Sequence, residues 1–153
     1  MISLRTAILG ARSEPVEFAV GATAPGLFTM DFSGKGQGAI LNEDNVTRNS
    51  ASAPARPGSV VVLWGTGEGI TDPSGVDGRP AVDVLPKPVA PVSVEIGGLP
   101  AAVLYAGAAP GNIPGLFQIN ARISQDVTPG DGVPVRVKVG NRTSQDGVTV
   151  AVR

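Results

Sequence analysis

The chain has 153 residues, with 12 Lys and Arg against 13 Asp and Glu, and it contains no His and no Cys. Without those residues there is no Ser-His-Asp triad, no Cys nucleophile, no disulfide, and no zinc or haem site of the usual ligand types. A net charge of −1 supplies no basic surface for phosphate contacts, so we expect no nucleic-acid partner.

Length and composition indicate a single globular domain that contains many turns. Hydrophobic residues make up 42% of the chain, enough to bury a core, while 21 Gly and 14 Pro interrupt it repeatedly. No apolar run reaches the ~20 residues of a membrane helix. The first ten residues lack the basic start and long apolar centre of a signal peptide.

The first twenty residues predict a β-hairpin. Residues 10–20 resemble residues 140–152 once a two-residue offset is allowed, and an apolar strand precedes each stretch. Hairpins of similar composition look alike, which is one explanation. The other is that residues 1–20 are the closing hairpin of a preceding module and residues 21–153 are the next module. Because a lone hairpin is marginal in water, we expect it to extend the chain's own sheet, with pairing to a neighbouring chain as the alternative.

Alternation of apolar and polar residues predicts most of the remaining strands. The continuous apolar run from Ser59 to Trp64 is typical of a strand buried on both faces. Gly97-Gly98 predicts a two-residue turn that joins two strands. No segment keeps a helical period, so the chain is predicted to be an antiparallel β-sandwich or small barrel. The alternating strands are expected at residues 92–96, 99–105, 117–123, 133–139 and 148–152.

Two long stretches rich in Asp, Ser, Pro and Gly separate these strands, at residues 42–58 and 65–91. We expect both to project as loops at the ends of the sandwich. Loops of this kind carry binding residues in many β-proteins, because the strands hold them in place without constraining their sequence.

The order of motifs in residues 20–153 resembles a C-terminal module of large secreted proteins of Acidobacteria, the Solibacter-type module. The resemblance is carried by APGLFT at residues 24–29, VVVLWGTGEG at 60–69, VSVEIGGLPA at 92–101 and GLFQIN at 115–120. It implies an antiparallel immunoglobulin-like β-sandwich in an extracellular protein, with no assigned reaction. The chain departs from the family pattern at Trp64, where Tyr is more familiar, and at Glu68, where an apolar residue is common.

Four carboxylates fall within the 65–91 stretch: Glu68, Asp72, Asp77 and Asp83. A pair of them would suit glycoside hydrolysis, and together with backbone carbonyls they would suit Ca²⁺. No calcium-loop motif is present and no spacing fixes the separation of the carboxylates, so solvated loop charges explain them best.

Two aromatic residues, Trp64 and Tyr105, end apolar strands and serve either as core anchors or as a stacking surface, with the core favoured. The Gly-rich segment that follows Trp64 does not fit a phosphate loop, since no helix follows it. We interpret these glycines as a strand exit with positive φ angles.

These observations predict a non-catalytic extracellular module for assembly, anchoring or adhesion, with no catalytic residue, cofactor or metal. The alternative is a hydrolase or carbohydrate-binding module that uses the 65–91 carboxylates. Expected partners are other domains of the same secreted protein or neighbouring chains through sheet edges, with carbohydrate as a further candidate. The candidate binding residues are Trp64, Glu68, Asp72, Asp77 and Tyr105.

Overall fold

The computed structural model describes residues 2–153, and that range is all β, with no helix. Within it there is accordingly no helix of the length and apolar character needed to cross a membrane. The sixteen strands of the described range, β1 to β16 in chain order, are Ile2–Leu4, Ala7–Ile8, Ala11–Arg12, Val16–Phe18, Gly26–Leu27, Gly36–Gln37, Ile40–Leu41, Val60–Thr66, Thr71–Asp72, Lys87–Pro88, Val92–Ile96, Leu99–Ala108, Phe117–Arg122, Gly130–Val139, Arg142–Thr143 and Val148–Val152.

One large curled sheet forms the body of the protein. Its strand order is β5-β8-β13-β12-β11-β14-β16-β6, and β7 and β15 pair with β8 and β14. The pairs from β5 to β16 are antiparallel, whereas β16 and β6 are parallel, so the sheet is mixed. The curled all-β arrangement is consistent with the predicted β-sandwich.

The core is built from the alternating strands that the sequence predicts. Along β14 the valines 133, 135, 137 and 139 are buried, while the residues between them face solvent. Burial of each such side chain contributes roughly 1.5–3 kcal/mol, which fixes the register of the strand. The six core residues expected from the sequence are at most 2% exposed, as predicted: Val61, Leu63, Val94, Ile119, Val135 and Val137.

Two local predictions are confirmed next to this core. The run 61–63 in β8 is buried at every residue, as expected for a strand covered on both faces. Gly97 and Gly98 both have positive φ, 64° and 77°, and Ile96 pairs with Leu99 across them. This is the two-residue turn that joins β11 to β12.

A single segment joins the two ends of the large sheet. Residues 36–37 pair with β16, and residues 40–41 pair with β8. Between them the amide of Gly38 donates to the carbonyl of Thr149 at 2.8 Å. The strands at both ends of the sheet therefore have hydrogen-bonding partners from the same short stretch.

The expectation that residues 42–58 project as a loop is wrong for part of the stretch: residues 43–46 are exposed turn residues, but the stretch is tied to β16 further on. Asn49 is 1% exposed, and its side chain exchanges two hydrogen bonds with the backbone of Ala151 in β16. Ala55 pairs with Val152 in a parallel bridge. Asn49 and Ala55 thus lie beside the last residues of β16, beyond the part that β6 covers, where the buried backbone groups of that strand need partners.

The first strands form a hairpin of their own. β1 pairs with β4, and β2 pairs with β3 across the turn at Leu9 and Gly10. None of these four strands, all within the described residues, pairs with the large sheet. The hairpin is thus confirmed, but the expectation that it extends the chain's own sheet is wrong.

Candidate functional site

The N-terminal hairpin presents an apolar surface to solvent. Every residue from 2 to 22 is exposed. The seven apolar side chains that the sequence marks as needing a partner are each more than half exposed: Ile2, Leu4, Ile8, Leu9, Val16, Phe18 and Val20. An exposed apolar face of this size on a two-stranded element is typical of an interaction site.

The hairpin is connected to the body by residues 22–27, which pack on the Gly-rich segment that follows Trp64. The amide of Ala24 donates to the carbonyl of Gly67 at 2.9 Å, and β5 pairs with β8. A Cβ on Gly67 would overlap the carbonyl oxygen of Ala24. Gly67 and Gly69 have φ of 81° and 78°, which confirms the predicted strand exit. Close backbone approach is a second reason for glycine here.

Glu68 lies between these two glycines and lines a cavity of about 400 Å³. As a whole residue it is only 6% exposed, but its carboxylate oxygens keep contact with solvent, since no buried side-chain oxygen in the described range lacks a hydrogen-bond partner and Glu68 has none. Asp77 lines the same cavity, together with Thr66 and Thr71. The carboxylate is thus open to solvent where it lines the cavity, which makes this cavity a candidate site for a ligand that donates hydrogen bonds.

The other predicted carboxylates are elsewhere. Asp72 lies in β9 opposite Lys87 of β10 and does not line the Glu68 cavity. Asp83 lines a separate cavity of about 440 Å³. Within the described residues, no group of three or more Asp or Glu is placed to hold a metal ion. The structure therefore brings together two of the four carboxylates.

Trp64 and Tyr105 do not share a cavity. Tyr105, half-buried in β12, donates from its hydroxyl to the carbonyl of Ala108 at 2.6 Å, and burial raises the pKa of this phenol above its usual 10.0. Trp64 is half-buried and lines an apolar groove of about 470 Å³ with Phe28 and Phe32.

The sequence reasoning missed the two phenylalanines of this groove. Phe32 is 95% exposed with φ of 61°, at the centre of a tight turn. Asp31 fixes that turn by accepting hydrogen bonds from the backbone and hydroxyl of Ser33 and from the hydroxyl of Thr29, and these bonds hold the pKa of Asp31 below its usual 3.8. An Asp-x-Ser-Gly turn that carries an aromatic residue was the available signal.

The aromatic groove and the Glu68 cavity are neighbours. Trp64 of the groove and Thr66 of the cavity are two residues apart on β8. Leu116 of the groove directly follows Gly115 of the cavity. An aromatic surface thus lies beside the Glu68 carboxylate.

We compared the chain with models of protein families, with curated proteins and with solved structures, and found no match in any of the three.

Proposed function

We propose that this chain is a non-catalytic interaction module of a larger secreted protein, joined to other domains or neighbouring chains through the edges of its N-terminal hairpin. The observation that carries the proposal is the hairpin's exposed apolar surface, which the chain's own sheet does not cover. Burial of each apolar side chain contributes roughly 1.5–3 kcal/mol, so several together strongly favour a docked state.

The extracellular location and the immunoglobulin-like topology are part of the same proposal. Both rest on the resemblance to the Solibacter-type module, and the curled all-β body is compatible with them. The assignment as non-catalytic rests on the residues present, since a chain without His or Cys has few groups suited to proton transfer near neutral pH.

Light scattering over a range of concentrations tests the interaction function. We expect the full chain to self-associate as its concentration rises, and a chain without residues 2–20 to remain monomeric with an unchanged free energy of unfolding. Leu4→Asp on the apolar surface should abolish association, whereas the matched Ser3→Asp on the same strand should not. A full chain that stays monomeric at the highest concentration would contradict pairing with neighbouring chains, and association that survives the deletion would contradict the role of the hairpin.

A second candidate function is carbohydrate binding, as part of either a binding module or a hydrolase. The specific observation in its favour is the aromatic groove beside the Glu68 cavity. Aromatic faces stack on sugar rings, and a carboxylate accepts hydrogen bonds from sugar hydroxyls.

A glycan array and a panel of glycosidase and esterase substrates test this candidate. Binding that is lost in both Trp64→Ala and Glu68→Gln would support it, and turnover lost in Glu68→Gln would identify a hydrolase. Asp83→Asn, which lines a different cavity, is the matched control. Equal behaviour of all three variants would argue against a sugar site here.

A further inference from the structure

The N-terminal hairpin repeats the architecture of the last hairpin of the chain. In each, the first arm turns back through two residues, and its end pairs with a short strand while its start pairs with a second strand. The first arm is β1 and β2 at the N-terminus and the single long strand β14 at the C-terminus. At the N-terminus Ile8 pairs with Ala11 and Leu4 with Val16. At the C-terminus Val139 pairs with Arg142, and the next strand, β16, returns to pair with the first half of β14.

The same pair of hydrogen bonds also occurs within each hairpin. The amide of Thr6 donates to the Ser13 hydroxyl at 3.1 Å, and the amide of Ser13 donates to the Thr6 carbonyl at 3.0 Å. Val137 and Ser144 make the same two bonds at 3.1 and 2.8 Å. This correspondence aligns Leu9 with Gly140. The sequence comparison, which aligned Gly10 with Gly140, was therefore out of register by one residue.

Burial is reversed between the two copies. In the last hairpin the inward-facing residues are Val133, Val135, Val137, Val139, Val148, Val150 and Val152, each at most 5% exposed. Their counterparts in the first hairpin are exposed: Ile2, Leu4, Thr6, Ile8, Val16, Phe18 and Val20. Six of these seven are apolar. The first hairpin therefore carries the pattern of a core face without the core that such a face covers.

We infer that residues 2–20 are the closing hairpin of a second sheet of the same kind as residues 21–153, and that they dock between the strands that correspond there to β11 and β6. This inference rests on the proposed interaction function and specifies its partner. The last hairpin shows what covers such a face: β11 pairs along β14 on one side, and β6 pairs along β16 on the other.

The register follows from the same correspondence. Ile96 of β11 pairs with Val135, whose counterpart is Leu4. In the docked state Leu4 therefore lies opposite the partner's residue equivalent to Ile96. Cα atoms of opposed residues in antiparallel strands are about 4.5–5.5 Å apart, within the range that a disulfide bridges.

A duplicated chain tests this geometry. In it, an added unit of residues 21–132 is followed directly by residues 2–153. The added unit lacks its own last hairpin, and residues 2–20 of the intact chain come in that hairpin's place. We expect the amides of the inward-facing positions, Leu4 and Phe18 among them, to exchange with solvent about 10³-fold more slowly than in the single chain. Leu4→Asp should abolish this protection, and Ser3→Asp should preserve it.

Cysteine pairs provide a readout of register, and the sequence has no Cys to interfere. Ile96→Cys in the added unit with Leu4→Cys should form a disulfide, and Ile96→Cys with Arg5→Cys should not. Unprotected amides in residues 2–20, or equal disulfide yields from the two pairs, would overturn the inference. Self-association of the single chain is measured separately, so the hairpin's general role can hold even if this docking geometry fails.

Discussion

Gly67→Ala tests whether residues 22–27 are held to the body by close backbone approach. Gly67 has φ of 81°, a conformation that costs Ala about 1–2 kcal/mol. The new Cβ would also displace Ala24, breaking the hydrogen bond between its amide and the Gly67 carbonyl and loosening the buried Leu27. A lost hydrogen bond costs about 1 kcal/mol, and partial exposure of Leu adds roughly 1–2 kcal/mol. We expect the free energy of unfolding to fall by about 3–5 kcal/mol.

Gly78→Ala is the matched control for that measurement. Gly78 has a similar φ of 72°, but nothing lies within 4 Å of its would-be Cβ, so only the backbone term of about 1–2 kcal/mol applies. Urea denaturation followed by circular dichroism gives both values. Equal losses in the two variants would refute the argument, because they would mean that the approach of Ala24 contributes nothing.

Substitutions at Asn49, Asp44 and Phe32 test three further local features of the fold. Asn49→Ala should lower the free energy of unfolding by about 1–3 kcal/mol in urea denaturation, since it leaves the buried amide of Ala151 unpaired, whereas the Ala151 carbonyl still accepts from the amide of Ala55. The Thr47 hydroxyl bond lowers the pKa of Asp44 below 3.8, so this carboxylate stabilises the fold above pH 3.8 and the effect is lost as pH falls through its folded pKa. The stability difference between the wild type and Asp44→Asn should therefore vanish in acid. Phe32→Gly should be more stable than Phe32→Ala by about 1 kcal/mol, because φ is 61° there.

The alternating strands were predictable because their burial depends on a local period. β14 shows this most clearly: each Val faces the core and each intervening residue faces solvent, so seven residues suffice to read it. β8 was predictable for a different reason, since its continuous run of β-branched and apolar residues suits only a position covered on both faces.

The role of residues 42–58 was not predictable, because it depends on partners far away in the chain. Asn49 is separated from Ala151 by 102 residues, and a composition rich in Asn, Ser and Pro is equally typical of a solvated loop. The same limit applies to Glu68 and Asp77. Nothing in their spacing showed that they would line one cavity while Asp72 and Asp83 would not.

For the glycines after Trp64, the sequence predicted the backbone conformation but only one of the two reasons that glycine is needed there. Positive φ at Gly67 and Gly69 was expected from a strand exit. The second requirement, space for the backbone of residues 22–25, arises from a segment about forty positions earlier and leaves no local trace.

The two parts of the chain differ in whether their strand edges are covered by other segments. This difference indicates where association is expected. In the body, β8 and β16 are the outermost long strands of the sheet, and the short segments 26–27, 36–37, 40–41 and 55 pair with their outer sides. The hairpin has no such covering strand within the described residues, although its apolar residues follow the core pattern of the last hairpin. Because exposed strand edges with apolar side chains are the part of a β-protein most prone to pair with another chain, partners should engage the hairpin before any edge of the body.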